Sequence, residues 1–124
     1  MSAILAVGAV VLRGESVLLV RRANSPREGL WTLPGGRVQP GETYAGALHR
    51  ELHEETGLRV RPVQFLEAVD IPPFVVLDYL AEADLGDPEA GDDALEARFV
   101  ALATLRDYGL TEAVGRVIDR ARRR

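Results

Sequence analysis

The chain of 124 residues contains no cysteine, which excludes disulfides and thiolate metal sites. That absence fits a reducing compartment, and the cytoplasm is the expected location. Aromatic residues make up 6% of the chain, with one tryptophan, so a large stacking platform for RNA is not expected. A basic surface is missing too. The formal net charge is -4, whereas general affinity for a nucleic-acid backbone needs a positive footprint. The local exception is the tail Arg120 to Arg124, reading RARRR, whose cations suit the C-terminal end of a helix dipole. Long apolar runs are also absent. The stretch Ile4 to Leu12 is short, has no basic residues before it and meets Arg13-Gly14, so neither a signal peptide nor a membrane span is expected. No internal repeat or low-complexity linker is visible. What remains, 47% hydrophobic and 27% charged, is the composition of an ordinary globular protein, and the length suits one domain over residues 1–124.

The chain alternates apolar runs with turn signals. Ile4 to Leu12, rich in Val and Ile, reads as a buried strand. Arg13-Gly14-Glu15 is a turn, and Ser16 to Arg22 completes a hairpin. Asn24 to Gly29 reads as a loop. Leu30 to Leu33 is a short extended piece, Pro34-Gly35-Gly36 punctuates it, and Arg37-Val38 extends again. Thr43 to Thr56 is the strongest helix: Thr43 suits the N-cap, Ala45, Leu48 and Leu52 form an apolar stripe, and Gly57 stands where a C′ glycine belongs, followed by Leu58. Val60 to Ile71 and Phe74 to Ala83 read as two further strands, Asp84 to Asp93 as an acidic loop, and Ala97 to Ala101 as a short strand. Thr111 to Arg123 closes the chain as an amphipathic helix, with Ala113, Val114, Val117, Ile118 and Ala121 on its apolar face. This order predicts a mixed β-sheet flanked by helices, an α/β (α+β) sandwich. One joint conflicts with it. Pro72-Pro73 alone separates two strands, and a primed turn needs positive φ where proline is held near about -65°. A tight hairpin is therefore not expected: either neighbouring residues give up pairing, or residues of the protein are missing from the sequence.

The chemistry concentrates between residues 36 and 58, which read GRVQPGETYAGALHRELHEETGL. Glu51, Glu54 and Glu55 stand at i, i+3 and i+4, on one face of a helix. Like charges at that spacing repel, so the cluster points to a bound cation. Hard ions such as Mg²⁺ take a few carboxylates plus substrate phosphates, which suggests phosphate chemistry.

Gly36, five residues, Glu42, seven residues, then Arg50-Glu51-Leu52-x-Glu54-Glu55-x-Gly57-Leu58 is similar to the signature of the Nudix hydrolases, and every defining position of that box is filled. The preceding VLLVRR and LWTLPGG segments, the early strand pair and the final helix resemble the family as well. The resemblance implies a Nudix-type α/β/α sandwich and hydrolysis, dependent on Mg²⁺ or Mn²⁺, of a nucleoside diphosphate linked to another moiety. It makes Glu51, Glu54, Glu55 and the Gly36 carbonyl metal ligands. Glu42 becomes a ligand or an Arg50 partner, and Arg50 a residue that orients the glutamates. Glu55 and Glu51 are the candidates for also touching the attacking water, and the base is left open between them. His49 and His53 fall on variable positions and are expected to be exposed. A further acid is sought in the acidic loop, Asp93 first, then Asp92 or Glu96. Arg22 matches a basic position that contacts substrate. Trp31 and Leu33 border the same cleft, and Phe74 and Tyr79 either stack on substrate or pack.

The run from LLVRRAN to GGRVQPGET resembles the bacterial branch labelled ADP-ribose pyrophosphatase, and the short length resembles MutT-type (oxidised) nucleoside triphosphate pyrophosphohydrolases. An RNA 5′-end or cap hydrolase and a non-catalytic nucleotide sensor are the remaining alternatives. The expected partner is a small nucleotide, with no membrane and no stable nucleic-acid partner. A homodimer stays open.

Overall fold

The computed structural model describes residues 3–24, 27–91 and 93–123. Asp92 and Arg124, both named above, lie outside them. Among the described residues, seven strands and two α-helices follow in the order β1 (Ile4–Arg13), β2 (Ser16–Arg22), β3 (Trp31–Thr32), β4 (Gly35–Arg37), α1 (Tyr44–Thr56), β5 (Val60–Ile71), β6 (Phe74–Ala83), β7 (Ala94–Ala101) and α2 (Glu112–Arg122), with a 3₁₀ segment Leu102–Tyr108 before α2.

β1 is the axis of the molecule. It pairs in parallel with β6, antiparallel with β4, and through its last residues with β2. β5 extends the sheet beyond β6, while β2 carries β3 and β7. Val7, Ala9 and Val11 of β1 face Ala47, Leu48 and Leu52 of α1. Val10, on the other face, joins Val117, Ile118 and Ala121 of α2. A strand covered on both faces has no need of polar alternation, which is why Ile4 to Leu12 reads as an unbroken apolar run. The expected sandwich, a mixed sheet between helices, is the one observed.

α1 ends as its sequence dictates. Thr43 Oγ1 accepts from the Gly46 N–H at 3.0 Å. Gly57 takes the left-handed conformation, φ 74°, and its N–H donates to the His53 carbonyl. The apolar stripe starts later than expected: residues 43–46 are all exposed, so the first turn projects past the sheet. Ala45 is exposed and burial begins at Ala47.

Three other details depart from the sequence reading. β4 begins on the two glycines themselves, with Gly35 and Gly36 paired to Gly8 and Val7. β7 starts at Ala94, three residues early, because a register shift at Arg21/Arg22 lets Ala94 pair with Arg22. The Pro72-Pro73 joint is a real two-residue turn: Ile71 pairs directly with Phe74, and the peptide between the prolines is cis. A cis proline makes a type VI turn, which needs no positive φ; the expectation that the hairpin could not close considered only the primed turns.

Candidate active site

The cleft opens where β4, the start of β6 and the end of β2 meet. Its volume is about 580 Å³, and its wall includes Gly35, Gly36, Arg50, Glu51 and Glu55 on one side and Trp31, Leu33, Phe74 and Asp78 on another. The three glutamates of α1 do not act alike. At 3.6 residues per turn, Glu55 lies roughly 40° from Glu51 in one direction and Glu54 roughly 60° in the other. Glu51 and Glu55 accordingly line the cleft, while Glu54 does not and stands half-exposed beside Arg50, at 3.3 Å.

Gly36 and Glu51 are in intimate contact. A Cβ added at Gly36 would stand 1.6 Å from Glu51 Oε2, so only glycine lets the carboxylate lie against the strand. Glu55 is deeper. Its Oε1 accepts from the Gly35 N–H at 2.7 Å. Burial pushes its carboxyl up to about 8; the Gly35 N–H opposes this, the Glu51 charge adds to it, and Arg22 and Asp93 act with smaller, opposite effects. Burial also raises the Glu51 carboxyl, against the pull of Arg50.

Arg50 fixes the rim. Its Nε and one terminal nitrogen fork the two Glu42 oxygens at 2.7 and 2.8 Å. The other terminal nitrogen reaches Glu51 at 2.9 Å, and the guanidinium also donates to the Arg37 carbonyl at 3.0 Å. This fork, with the Gln39 N–H, holds the Glu42 carboxyl down to about 2. Both Glu42 oxygens are taken, so its geometry is that of an Arg50 partner.

The acidic loop is laced to α1 by its backbone. Gly91 N donates to the Glu55 carbonyl at 3.0 Å and Glu89 N to the Thr56 carbonyl at 2.8 Å. Gly91 is required for that approach, since a Cβ there would stand 1.7 Å from the Glu54 carbonyl oxygen. The lacing delivers Asp93 to the cleft wall, near Glu55 and 3.4 Å from Asn24 Nδ2. Glu96, by contrast, is in β7, paired with Arg98 and at 3.6 Å from Arg21.

Arg22, Arg27 and Arg37 line the cleft and give it a cationic rim. Trp31 borders it with its ring edge-on to Tyr108 and under the Arg98 guanidinium at 5.0 Å. Leu33 is 8% exposed and belongs to the α2-side core. Phe74 lies under the Arg37 guanidinium at 5.4 Å. Tyr79 is on the opposite face of the sheet, against Phe65, and lines no part of the cleft. His49 and His53 are exposed; the His49 ring meets the Val60 carbonyl at 3.1 Å.

Sequence reasoning missed Asp78, on the cleft floor and 6% exposed. Burial, followed by the Glu67 charge, pushes its carboxyl up to about 7. The available signal was an acid at a core-facing position within the mostly apolar stretch Phe74 to Ala81.

The donor set fits a hard divalent ion bound partly through substrate. Two partly buried carboxylates and the backbone of Gly36 share one end of the cleft, and burial raises the pKa of both carboxyls. Among the described residues no three histidine, aspartate or glutamate side chains are grouped to hold a metal ion by themselves. With neither cysteine nor lysine in the chain, no thiolate or amine nucleophile is at hand.

Comparison with known proteins agrees with the geometry. The family profile described as NUDIX domain matches residues 3–121. An ADP-ribose pyrophosphatase of Methanocaldococcus jannaschii is 35% identical over 106 residues, covering 81% of this chain and 63% of that protein. An 8-oxo-dGDP phosphatase of Homo sapiens is 38% identical over 88 residues, covering 67% of this chain and 27% of that protein. The chain thus spans less than two thirds of the length of either relative. Among solved structures, a MutT NUDIX hydrolase of Burkholderia pseudomallei superposes with a TM-score of 0.82 at 28% identity, covering 97% of this chain and 98% of that one. The box on α1, the glycine strand that seats its glutamates and the family match over nearly the whole chain lead to one conclusion: this protein belongs to the Nudix family.

Proposed function

We propose that the protein hydrolyses the pyrophosphate linkage of a small nucleoside diphosphate derivative, with ADP-ribose as the leading substrate. The observation that carries this is the pairing of Glu51 and Glu55 at one end of a cleft whose rim bears Arg22, Arg27 and Arg37. Acids alone would repel a pyrophosphate and arginines alone would bind it without reaction; their juxtaposition suits binding together with water attack.

Gly36, Glu51 and Glu55 would hold Mg²⁺ or Mn²⁺, with Glu54 joining once its contact to Arg50 is exchanged for the ion. Such an ion neutralises phosphate charge and lowers the pKa of a bound water. The rim arginines orient the phosphates. Glu51 and Glu55 are placed to hold the proton of the attacking water, Asp93 supports that wall, and Arg50 with Glu42 keeps Glu51 in position. Water adds at phosphorus, the P–O–P bridge breaks, and ADP-ribose yields AMP and ribose 5-phosphate. Trp31, Leu33 and Phe74 form the apolar wall for the nucleoside.

A second reading, a MutT-type triphosphate pyrophosphohydrolase, is favoured by the Burkholderia structure, which matches this chain almost end to end. One substrate panel separates the two. With Mg²⁺ or Mn²⁺ present, ADP-ribose, dGTP, 8-oxo-dGTP, dinucleoside polyphosphates, GDP-mannose and capped RNA are assayed for products. Faster cleavage of ADP-ribose supports the first reading, and monophosphate plus pyrophosphate from a triphosphate supports the second. No turnover of any with either metal refutes both.

A further inference from the structure

The chain holds two histidines, and the proposed chemistry uses neither. His49 and His53 stand at i and i+4 of α1, the spacing at which two side chains share one helical face. That face is not the catalytic one. At roughly 100° per residue, each histidine lies roughly 160° around the helix from Glu51, and the cleft wall includes neither of them. Both side chains are exposed.

Their rings are paired. The ring planes differ by 9° and the centroids are 6.5 Å apart. The backbone orients one of them: His49 Nδ1 stands 3.1 Å from the Val60 carbonyl oxygen at the start of β5. A carbonyl only accepts, so Nδ1 carries the proton and the lone pair of the neutral ring is on Nε2. A carbonyl behind one ring nitrogen is the arrangement that fixes the tautomer and direction of a metal-binding histidine. Protonated, two imidazoles at this spacing repel. Neutral, they offer two nitrogen lone pairs from adjacent turns of one helix.

We infer that His49 and His53 form a second metal site, a two-nitrogen chelate for a borderline divalent ion of the Zn²⁺, Ni²⁺ or Cu²⁺ class. Imidazole suits those ions, whereas carboxylates and backbone oxygen suit Mg²⁺ and Mn²⁺, so donor type separates this site from the cleft. A tetrahedral ion about 2.1 Å from each nitrogen needs the two nitrogens about 3.4 Å apart. Rotation of the exposed His53 ring supplies that closure. Among the described residues no three histidine, aspartate or glutamate side chains are grouped around an ion, so water completes the coordination. The bound ion bridges two turns of α1 and staples the helix from the side away from its cleft-lining glutamates. No substrate group takes part, so the site is independent of the nucleotide-hydrolase reading.

With no cysteine and no third histidine in the chain, imidazole NMR of the untagged protein reports on this pair alone. Zn²⁺ is titrated in excess Mg²⁺, which occupies the carboxylate end, and binding is followed by imidazole ¹⁵N shifts, calorimetry and thermal melts, without nucleotide. In wild type, one equivalent of Zn²⁺ should shift both rings together, through Nε2 at His49, and raise Tm by about 3–5 °C at ten times the dissociation constant. His49→Gln and His53→Gln should each weaken Zn²⁺ binding about 10²-fold, the advantage of two linked ligands over one, and abolish the rise in Tm. Circular dichroism verifies that each exposed substitution leaves the helix content unchanged. Rings that titrate separately, coordination of His49 through Nδ1, or a Zn²⁺ affinity equal in wild type and both variants would overturn the site. The Mg²⁺-dependent cleavage of a dinucleotide, measured on its own, decides the hydrolase reading whichever way this test falls.

Discussion

Arg50 touches Glu42, Glu51, Glu54 and the Arg37 carbonyl at once, and a guanidinium is the only side chain that can. Lysine offers a point charge on a flexible stem. Arg50→Lys should therefore keep the fold but release Glu51, lowering kcat about 10- to 100-fold, the usual cost of disturbing groups that orient metal ligands. Steady-state kinetics against Mg²⁺ concentration checks this; an unchanged kcat and metal dependence would remove Arg50 from the positioning role. At this scale the sequence was eloquent about types and poor about directions. Helical period put three glutamates on one face, but the division between cleft and Arg50 comes from angles of some tens of degrees that no motif records. Asp93 ranks ahead of Glu96 in the sequence, but the letters alone do not say which of them reaches the cleft. Only the backbone lacing through Gly91 and the register of β7 separate them.

Secondary-structure elements carry the site by close approach of backbones, which makes the same substitution opposite in effect at different glycines. In α2, a Cβ at Gly115 meets nothing within 4 Å. Gly115→Ala should raise stability by about 0.5–1 kcal/mol through helix propensity. At Gly91 a Cβ would strike the Glu54 carbonyl; Gly91→Ala should cost about 1–3 kcal/mol as an overpacked contact and lower activity by loosening Asp93. Thermal melts of the two variants, with kinetics on the second, check the pair; equal shifts would mean that the loop does not pack on α1 as described. The long elements were legible because their signals are local: Thr43 and Gly57 bound α1, an unbroken apolar run marks β1, and stretches rich in branched and aromatic residues mark β5 and β6. The Pro72-Pro73 turn and the early start of β7 were not, since one depends on a peptide isomer and the other on a register shift set by the partner strand.

For the molecule as a whole, buried acids set the response to pH. Asp78 titrates near 7 in the folded chain against an ordinary 3.8, so between those values the folded state holds the proton more tightly than the unfolded state. Its contribution to stability falls as pH rises through that window, and is fully lost above it. Glu55, pushed up to about 8, acts in the same direction. Asp78→Asn should therefore flatten the decline, leaving a variant more stable than wild type at pH 8 by on the order of 1–3 kcal/mol and nearly equal at pH 4. Denaturant titrations at both pH values check this; parallel curves would contradict the buried placement of Asp78. The sandwich, with α1 and α2 on opposite faces, was readable from element order, and among the described residues no helix is long and apolar enough to cross a membrane. The cleft was not readable, because its floor and roof come from segments far apart in sequence. The central claim is that Glu51 and Glu55 form the reactive end of that cleft. It is tested most directly by titrating Mg²⁺ into ADP-ribose cleavage by wild type and Glu55→Gln, with circular dichroism to verify folding. Saturable Mg²⁺-dependent formation of AMP by wild type, with kcat about 10²–10⁴-fold lower in a folded Glu55→Gln, is the expected result; equal turnover by the two proteins, or full activity in chelator, would contradict it.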